Sequence, residues 1–200
     1  MSLSYKVITG HEIEEYVEHI AGFRLENFQE FPYLYKGDLE SERRYVQDYS
    51  KHDDSLLVLV FSGKDLVAIS TCLPLKALAN ELKEIRDKVF DSGRKYKDYF
   101  YFAETIISKK FRGQGIVSKI LKLQESLARD WGYKYACFIT VIRSANDPMR
   151  PKNYKDIDPM LEAKGYRKTD LDVIINWPVI QPDDSIVDQP NHLAFWEKKL

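Results

Sequence analysis

At 200 residues, 44% of them hydrophobic, the chain suits one globular domain spanning 1–200 with a substantial core. A formal net charge of −1 gives no general attraction to nucleic acid or anionic lipid, so any basic patch has to be local. The longest apolar run, Leu56 to Phe61, is far short of the ~20 residues a membrane span requires. The opening MSLSYKV also lacks a cationic segment followed by an apolar one, and a cytoplasmic location is the expectation.

A short strand is expected at Tyr5 to Ile8, followed by Thr9-Gly10-His11-Glu12, which has the Ser/Thr-x-x-Glu spacing of a capping box. The helix it opens carries Ile13, Tyr16, Val17 and Ile20 at helical spacing. A second helical stretch, Phe23 to Phe28, ends near Pro32. The segment FPYLYKGDL then crowds Phe31, Tyr33, Leu34 and Tyr35 into a loop before Asp38, which is placed to cap a third helix. These aromatics either close one end of the core or face a substrate; both readings stay open from the residues alone.

SLLVLVFSGKDLVAISTCLPL reads as a hairpin, with strands Leu56 to Phe61 and Leu66 to Leu73 joined at Ser62-Gly63-Lys64-Asp65. Leu78, Leu82, Ile85 and Val89 recur at helical spacing between charges, predicting an amphipathic helix over Lys76 to Phe90. Cys72 and Cys137 fall in apolar, strand-like surroundings and read as small buried hydrophobes. His11, His19, His52 and His192 show no metal-ligand spacing with them, so no metal is expected.

Tyr99 to Ile107 is apolar on both faces, as a central strand covered on both sides requires, with Glu104 as the exception. A buried carboxylate costs several kcal/mol unless compensated, so Glu104 has to be paired, protonated or placed in a cleft. The strand leads through Lys109 and Lys110 into Arg112-Gly113-Gln114-Gly115, and a helix from Gln114 to Trp131 follows. Its stripe is Ile116, Ile120, Leu123, Leu127 and Trp131, and Gly132 is placed to end it. Helix starts present about four unpartnered N–H groups and partial positive charge, and the two glycines keep Cβ atoms away from those amides. The turn therefore reads as a diphosphate site. It is not a Walker A loop, because Gly115 is followed by Ile116 and Val117, and it lacks the third glycine of a dinucleotide fingerprint, where Ser118 stands.

Tyr133 to Ile142 is the next expected strand, parallel to the central one across the helix. SANDPMRPKNYKDIDP is loop-like, with Pro148, Pro151 and Pro159 excluding regular structure. A short helix, Met160 to Lys164, stops at Gly165, and Leu171 to Trp177 with Leu193 to Glu197 form a last hairpin with a Pro-containing connection.

Arg112, Gly115 and Val117 together resemble the R-x-x-G-x-G/A signature of the GCN5-related N-acetyltransferases, departing from it at Val117, where the family has a small residue. The order of elements resembles that α/β fold over essentially the whole chain. The fold so implied is a mixed, mostly antiparallel twisted sheet with flanking helices and a splayed parallel pair of central strands. FPYLYKGDLESERRY, the Ala103-Glu104-Thr105 before the turn, RSANDPMRPKNYKDID and AFWEKKL look like a bacterial subgroup of that family.

The resemblance implies acetyl-CoA as cosubstrate, held by Ile106, Ile107, Arg112, Gly113, Gln114, Gly115, Ile116 and Val117. The activity implied is acetyl transfer to a primary amine of a small molecule or peptide by direct attack. Glu104 is the candidate base, because an alkyl ammonium must lose its proton before or during attack. A backbone N–H around Ile106 or Ile107 is expected to meet the oxyanion. The family's usual tyrosine acid, four residues before the helix-ending glycine, is Leu161 here, leaving Tyr154 or water as the proton donor. Phe31, Tyr33, Tyr35 and Asp147 are the substrate-side candidates, the tyrosines as cation–π faces and Asp147 and Asp158 as attractors of a cation. Neither nucleic acid nor membrane is an expected partner, and a homodimer is an assembly open to the chain. The competing class is a non-catalytic acyl-CoA sensor that keeps the cofactor turn and uses the aromatic loop to contact a protein.

Overall fold

In a computed structural model, which describes residues 2–78 and 82–200, the apolar runs assemble into one seven-stranded sheet. Its strands are β1 (Leu3–Thr9), β2 (Leu56–Ser62), β3 (Asp65–Pro74), β4 (Tyr99–Ile107), β5 (Tyr135–Val141), β6 (Arg167–Ile180) and β7 (Ile186–Lys199), in the order β1-β2-β3-β4-β5-β7-β6. All neighbours are antiparallel except β4 and β5. The strand alternation in β2 sends Leu57 and Leu59 to one face and Leu56, Val58 and Val60 to the other. The first face is covered by α1 (Val17–Asn27), α2 (Leu39–Ser50) and α3 (Lys83–Asp91). The second is covered by α4 (Ile116–Asp130) and α5 (Asp158–Ala163).

Two irregularities in β4 set the geometry of the site. Thr71 opposes Glu104 while Cys72 opposes Phe102, so Ala103 is an extra residue in the β4 ladder, a β-bulge. Before it, Tyr99 and Tyr101 point to the α1–α2 face and Phe100 and Phe102 to the α4 face; beyond it, Ile106 takes the first face and Ile107 the second. The bulge thereby turns Glu104 onto the face that unbroken alternation from Phe102 would have denied it. The second irregularity is a splay. β4 and β5 pair only from Tyr99–Tyr135 to Tyr101–Cys137, after which β5 continues along β7 and β4 along β3. This gap between parallel central strands is the feature expected above.

Other expectations need correction. Thr9 makes no capping bond: Gly10, at φ 55°, turns the chain with its N–H on the Ser55 carbonyl, and Gly10–Tyr16 enters as a 3-10 helix that runs into α1. The helix over Lys76 to Phe90 is broken, because Leu78 is extended (ψ 126°) after a single 3-10 turn, Leu75–Ala77. Regular helix covers only Lys83–Asp91, and residues 79–81 of the expected helix lie outside the described residues. In α4 the buried line is Ile116, Ile120, Leu121, Gln124 and Ala128, with Leu123 and Leu127 flanking it; Gln124 is tolerated there because its Nε2 donates to Ser70 Oγ at 2.7 Å.

The last hairpin is much longer than Leu171 to Trp177 and Leu193 to Glu197, with Pro178 and Pro190 inside its strands. Pro178 sits on the edge strand β6, and Pro190 lies past the end of β5, so neither is required to donate to a ladder on its outer side. The Pro178 carbonyl accepts instead from Lys36 N–H (2.9 Å), and Ile180 N–H donates to Leu34 (2.7 Å), pinning the aromatic loop to the β6 edge. Cys72 and Cys137 are fully buried, as expected, and burial pushes both thiols well above their ordinary range.

Candidate active site

Helix α1 has Val17, Ile20, Ala21 and Arg24 on its buried stripe, and α2 has Glu42, Val46 and Tyr49. Each stripe thus carries one charge where its period demands an apolar residue. Asp38 caps α2 as expected, accepting from Ser41 N–H at 2.9 Å and Ser41 Oγ at 2.8 Å. Arg24 Nε donates to Glu42 Oε2, and Arg24 Nη1 lies 2.8 Å from Glu104 Oε1. The guanidinium is further sandwiched by the rings of Tyr45 (4.1 Å) and Phe28 (4.8 Å). Tyr45 OH donates to Glu104 Oε2 at 3.3 Å and shares a 2.6 Å hydrogen bond with Tyr49 OH.

This triad forms one wall of a cavity of about 230 Å³. Among the described residues the remaining lining is uncharged, with Phe28, Tyr33, Tyr35, Tyr45, Tyr101 and Trp177 as its largest members. Glu104 is 7% exposed and Glu42 2%, so two carboxylates and one guanidinium share a buried space with a formal charge of −1. Burial works against the Arg24 cation, but the charges of Glu104, Tyr45 and Glu42 outweigh it and hold Arg24 well above its ordinary value. Burial, with the Glu104 charge added, pushes the Tyr33 phenol up to about 12 and moves Tyr45 the same way. Although close to Arg24, Glu104 Oε1 accepts no directed hydrogen bond among the described residues.

Behind the cavity β4 runs into the turn at 112–115. Gly113 and Gly115 both have φ 77°, a left-handed conformation that disfavours side chains, and no atom lies within 4 Å of the position a Cβ would take at either. Gly115 is the N-cap of α4, and no side chain caps this helix start. Ile116 is buried and Val117 packs against the α4-side core, so the open surface at this end is backbone. The turn thus fits a bound diphosphate through its free helix-start amides.

Two of its cations, Lys109 and Arg112, are otherwise engaged. Arg112 Nε donates to the Ile107 carbonyl (2.9 Å), and Arg112 Nη1 and Lys109 Nζ bind the two oxygens of Glu30 (3.0 and 3.1 Å). Gln114 donates to the Lys110 carbonyl at 3.1 Å. Ser108 N–H bonds to Val67 of β3, and strand amides alternate in direction, so Ile106 aims its N–H at β3 and Ile107 aims its own into the gap beside β5. Of the two expected oxyanion donors, Ile107 is the one with a free direction.

The remaining sequence candidates divide. Tyr33 and Tyr35 line the cavity, whereas Phe31 and Tyr154 do not; they meet edge-to-face at 4.7 Å with Arg150 over the Tyr154 ring. Asp147 is not on the cavity wall and accepts from Met149 N–H (2.8 Å) within its own turn. Asp158 pairs with Lys168 at 3.0 Å. Leu161 is buried among the α4-side core residues. The loop at Tyr33 is fastened by three donors that sequence reading missed: Arg143 Nε to Pro32 O (2.8 Å), Arg143 Nη2 to Tyr33 O (3.1 Å) and Trp177 Nε1 to Tyr33 O (3.1 Å). Arg24 and Glu42 were missed as well, although each breaks an apolar stripe and could have been found by that signal.

A bulged, splayed central pair leading into an uncapped, glycine-bounded helix start defines the fold of the GCN5-related N-acetyltransferases, and this chain has it. Its similarity to solved structures agrees. A ribosomal-protein-alanine N-acetyltransferase from Brucella melitensis aligns with a TM-score of 0.60 at 11% identity, covering 98% of this chain and 99% of that one. An acetyltransferase of the GNAT family from Streptococcus pneumoniae gives 0.55 at 10%, covering 98% and 100%. An IAA acetyltransferase from Bacillus cereus gives 0.52 at 11%, covering all of both chains. No protein-family model and no curated protein matches the chain. Among the described residues no group of His, Cys, Asp or Glu is arranged to hold a metal, and no helix is long and apolar enough to cross a membrane.

Proposed function

We propose that the protein transfers an acetyl group from acetyl-CoA to a primary amine that enters the cavity. The observation that carries this reading is the position of Glu104, a buried carboxylate turned by the Ala103 bulge into a cavity beside the strand gap. When bound, acetyl-CoA supplies an activated thioester carbonyl. The backbone from Gly113 to Val117 holds the diphosphate, and the splayed edge of β4 orients the pantetheine arm by backbone pairing. The Glu104 carboxylate accepts the ammonium proton, which makes the amine nitrogen nucleophilic. The Ile107 N–H faces the gap, where carbonyl charge develops. Leu161 brings no acid, and Tyr154 does not line the cavity, so thiolate release relies on solvent.

One observation favours a second reading, acyl-CoA binding without transfer: Glu104 is already paired with Arg24, as a purely structural carboxylate would be. A panel of amines assayed for coenzyme A release separates the two. Transfer predicts amine-dependent release above the hydrolysis background, and a sensor predicts coenzyme binding with no release for any amine.

A further inference from the structure

We infer that the acceptor is an apolar primary amine with a single positive charge and no carboxylate. This rests on the reading of the cavity as the acceptor site and goes beyond it to the chemistry of the molecule selected. The first ground is charge. Glu42, Arg24 and Glu104 leave the cavity one negative charge in excess, and every other lining residue among the described ones is uncharged. One ammonium neutralises the space. Among the described lining residues a second cationic group finds no carboxylate outside the triad, and within it Glu42 is already bound to Arg24.

The second ground is the engaged state of Arg24, the only cation lining the cavity among the described residues. Arg24 faces a carboxylate on each side and an aromatic ring on each flank, so a carboxylate brought in by an amino acid meets no cation free to receive it. The amino acid's ammonium neutralises the space, but its carboxylate returns it to −1 with no cation free to pair with it, which is unfavourable. The third ground is the Glu104 carboxylate, a buried anion in the cavity lining whose contacts are Arg24 Nη1 (2.8 Å) and Tyr45 OH (3.3 Å), and which is the negative group an entering ammonium meets. Phe28, Tyr33, Tyr35, Tyr45, Tyr101 and Trp177 then offer ring faces to the ammonium and to an apolar body behind it.

Ligand pairs that differ only by a carboxylate test this on the unmodified protein: 2-phenylethylamine against phenylalanine, tyramine against tyrosine, with spermidine as the polycation. Binding is measured by calorimetry on protein saturated with coenzyme A, where no transfer occurs, and release of coenzyme A from acetyl-CoA is followed separately. Each amine is expected to bind at least about tenfold more tightly than its amino acid and than spermidine. Equal or tighter binding of the amino acids or of spermidine overturns the inference, as does failure of both amines to bind at millimolar concentration. Coenzyme A release driven by amino acids alone would overturn this inference and leave acetyl transfer standing. Selective amine binding with no release from any amine would uphold the selectivity and overturn acetyl transfer.

Discussion

Arg24 Nη1 stands 2.8 Å from Glu104 Oε1, joining the middle of α1 to the bulge of β4, and the same guanidinium reaches Glu42 of α2. One buried cation therefore ties two helices to the central strand and holds the candidate base in place. Replacing Arg24 by Met leaves two buried carboxylates uncompensated, a change that costs ~3–5 kcal/mol for a broken buried pair. Urea unfolding should record that loss, with a fall in Tm of roughly 6–20 °C. Adding Glu42→Gln to Arg24→Met should restore part of it; a double variant no more stable than the single one would argue against charge as the cause.

Glu104→Gln keeps the side-chain shape and hydrogen-bonding capacity and cannot take a proton. Turnover should fall by ~100- to 10,000-fold, the usual contribution of a general base. Acetyl-CoA affinity should hardly change, because the diphosphate turn begins beyond the end of β4. Near-normal turnover with a good amine would make Glu104 structural.

Gly115→Val puts a branched side chain at φ 77° and a Cβ where the helix-start amides are open. Left-handed backbone costs roughly 1–2 kcal/mol for such a residue, so the protein should still fold. Equilibrium dialysis with coenzyme A should show its affinity reduced by at least about tenfold through lost access to the amides. Unchanged affinity would move the coenzyme away from this turn.

Glu30 occupies both Lys109 and Arg112, the cations flanking that turn. Glu30→Gln frees them. Partly exposed pairs of this kind are worth ~0–1 kcal/mol, so coenzyme A should bind up to about fivefold more tightly at low salt. The gain should vanish at high ionic strength, where screening weakens every such contact. Weaker binding in the variant would mean that Glu30 orients the two cations instead of competing for them.

Tyr33 carries a pH signature of its own. Its phenol is raised from 10.0 to about 12 by burial, with Glu104 adding to the shift, so the folded chain holds this proton more tightly than the unfolded one. The stability this supplies is fully present below pH 10 and is lost as pH rises towards 12. Chemical denaturation across that window should show a decline that is shallower in Tyr33→Phe. A decline of equal slope in both proteins would assign the loss to the other buried tyrosines.

Local pattern carried much of the outcome. The apolar runs of β2 and β3, the lone carboxylate in β4, the Asp38 cap and the glycines of the turn all express rules with a range of a few residues, and they were legible in order. Tertiary structure decided the rest because it concerns registry and partners distant in sequence. The face that Glu104 occupies depends on a bulge, where one added residue in the ladder reverses every side chain beyond it, and periodicity alone places it on the opposite, α4-side face. Glu104's partner could not be chosen among 30 Lys and Arg residues until α1 was laid across the sheet. The cavity itself has no sequence signature, since its walls come from α1, α2, β4, β5, β6 and β7, and the excess charge that selects its occupant exists only once those elements have closed around it.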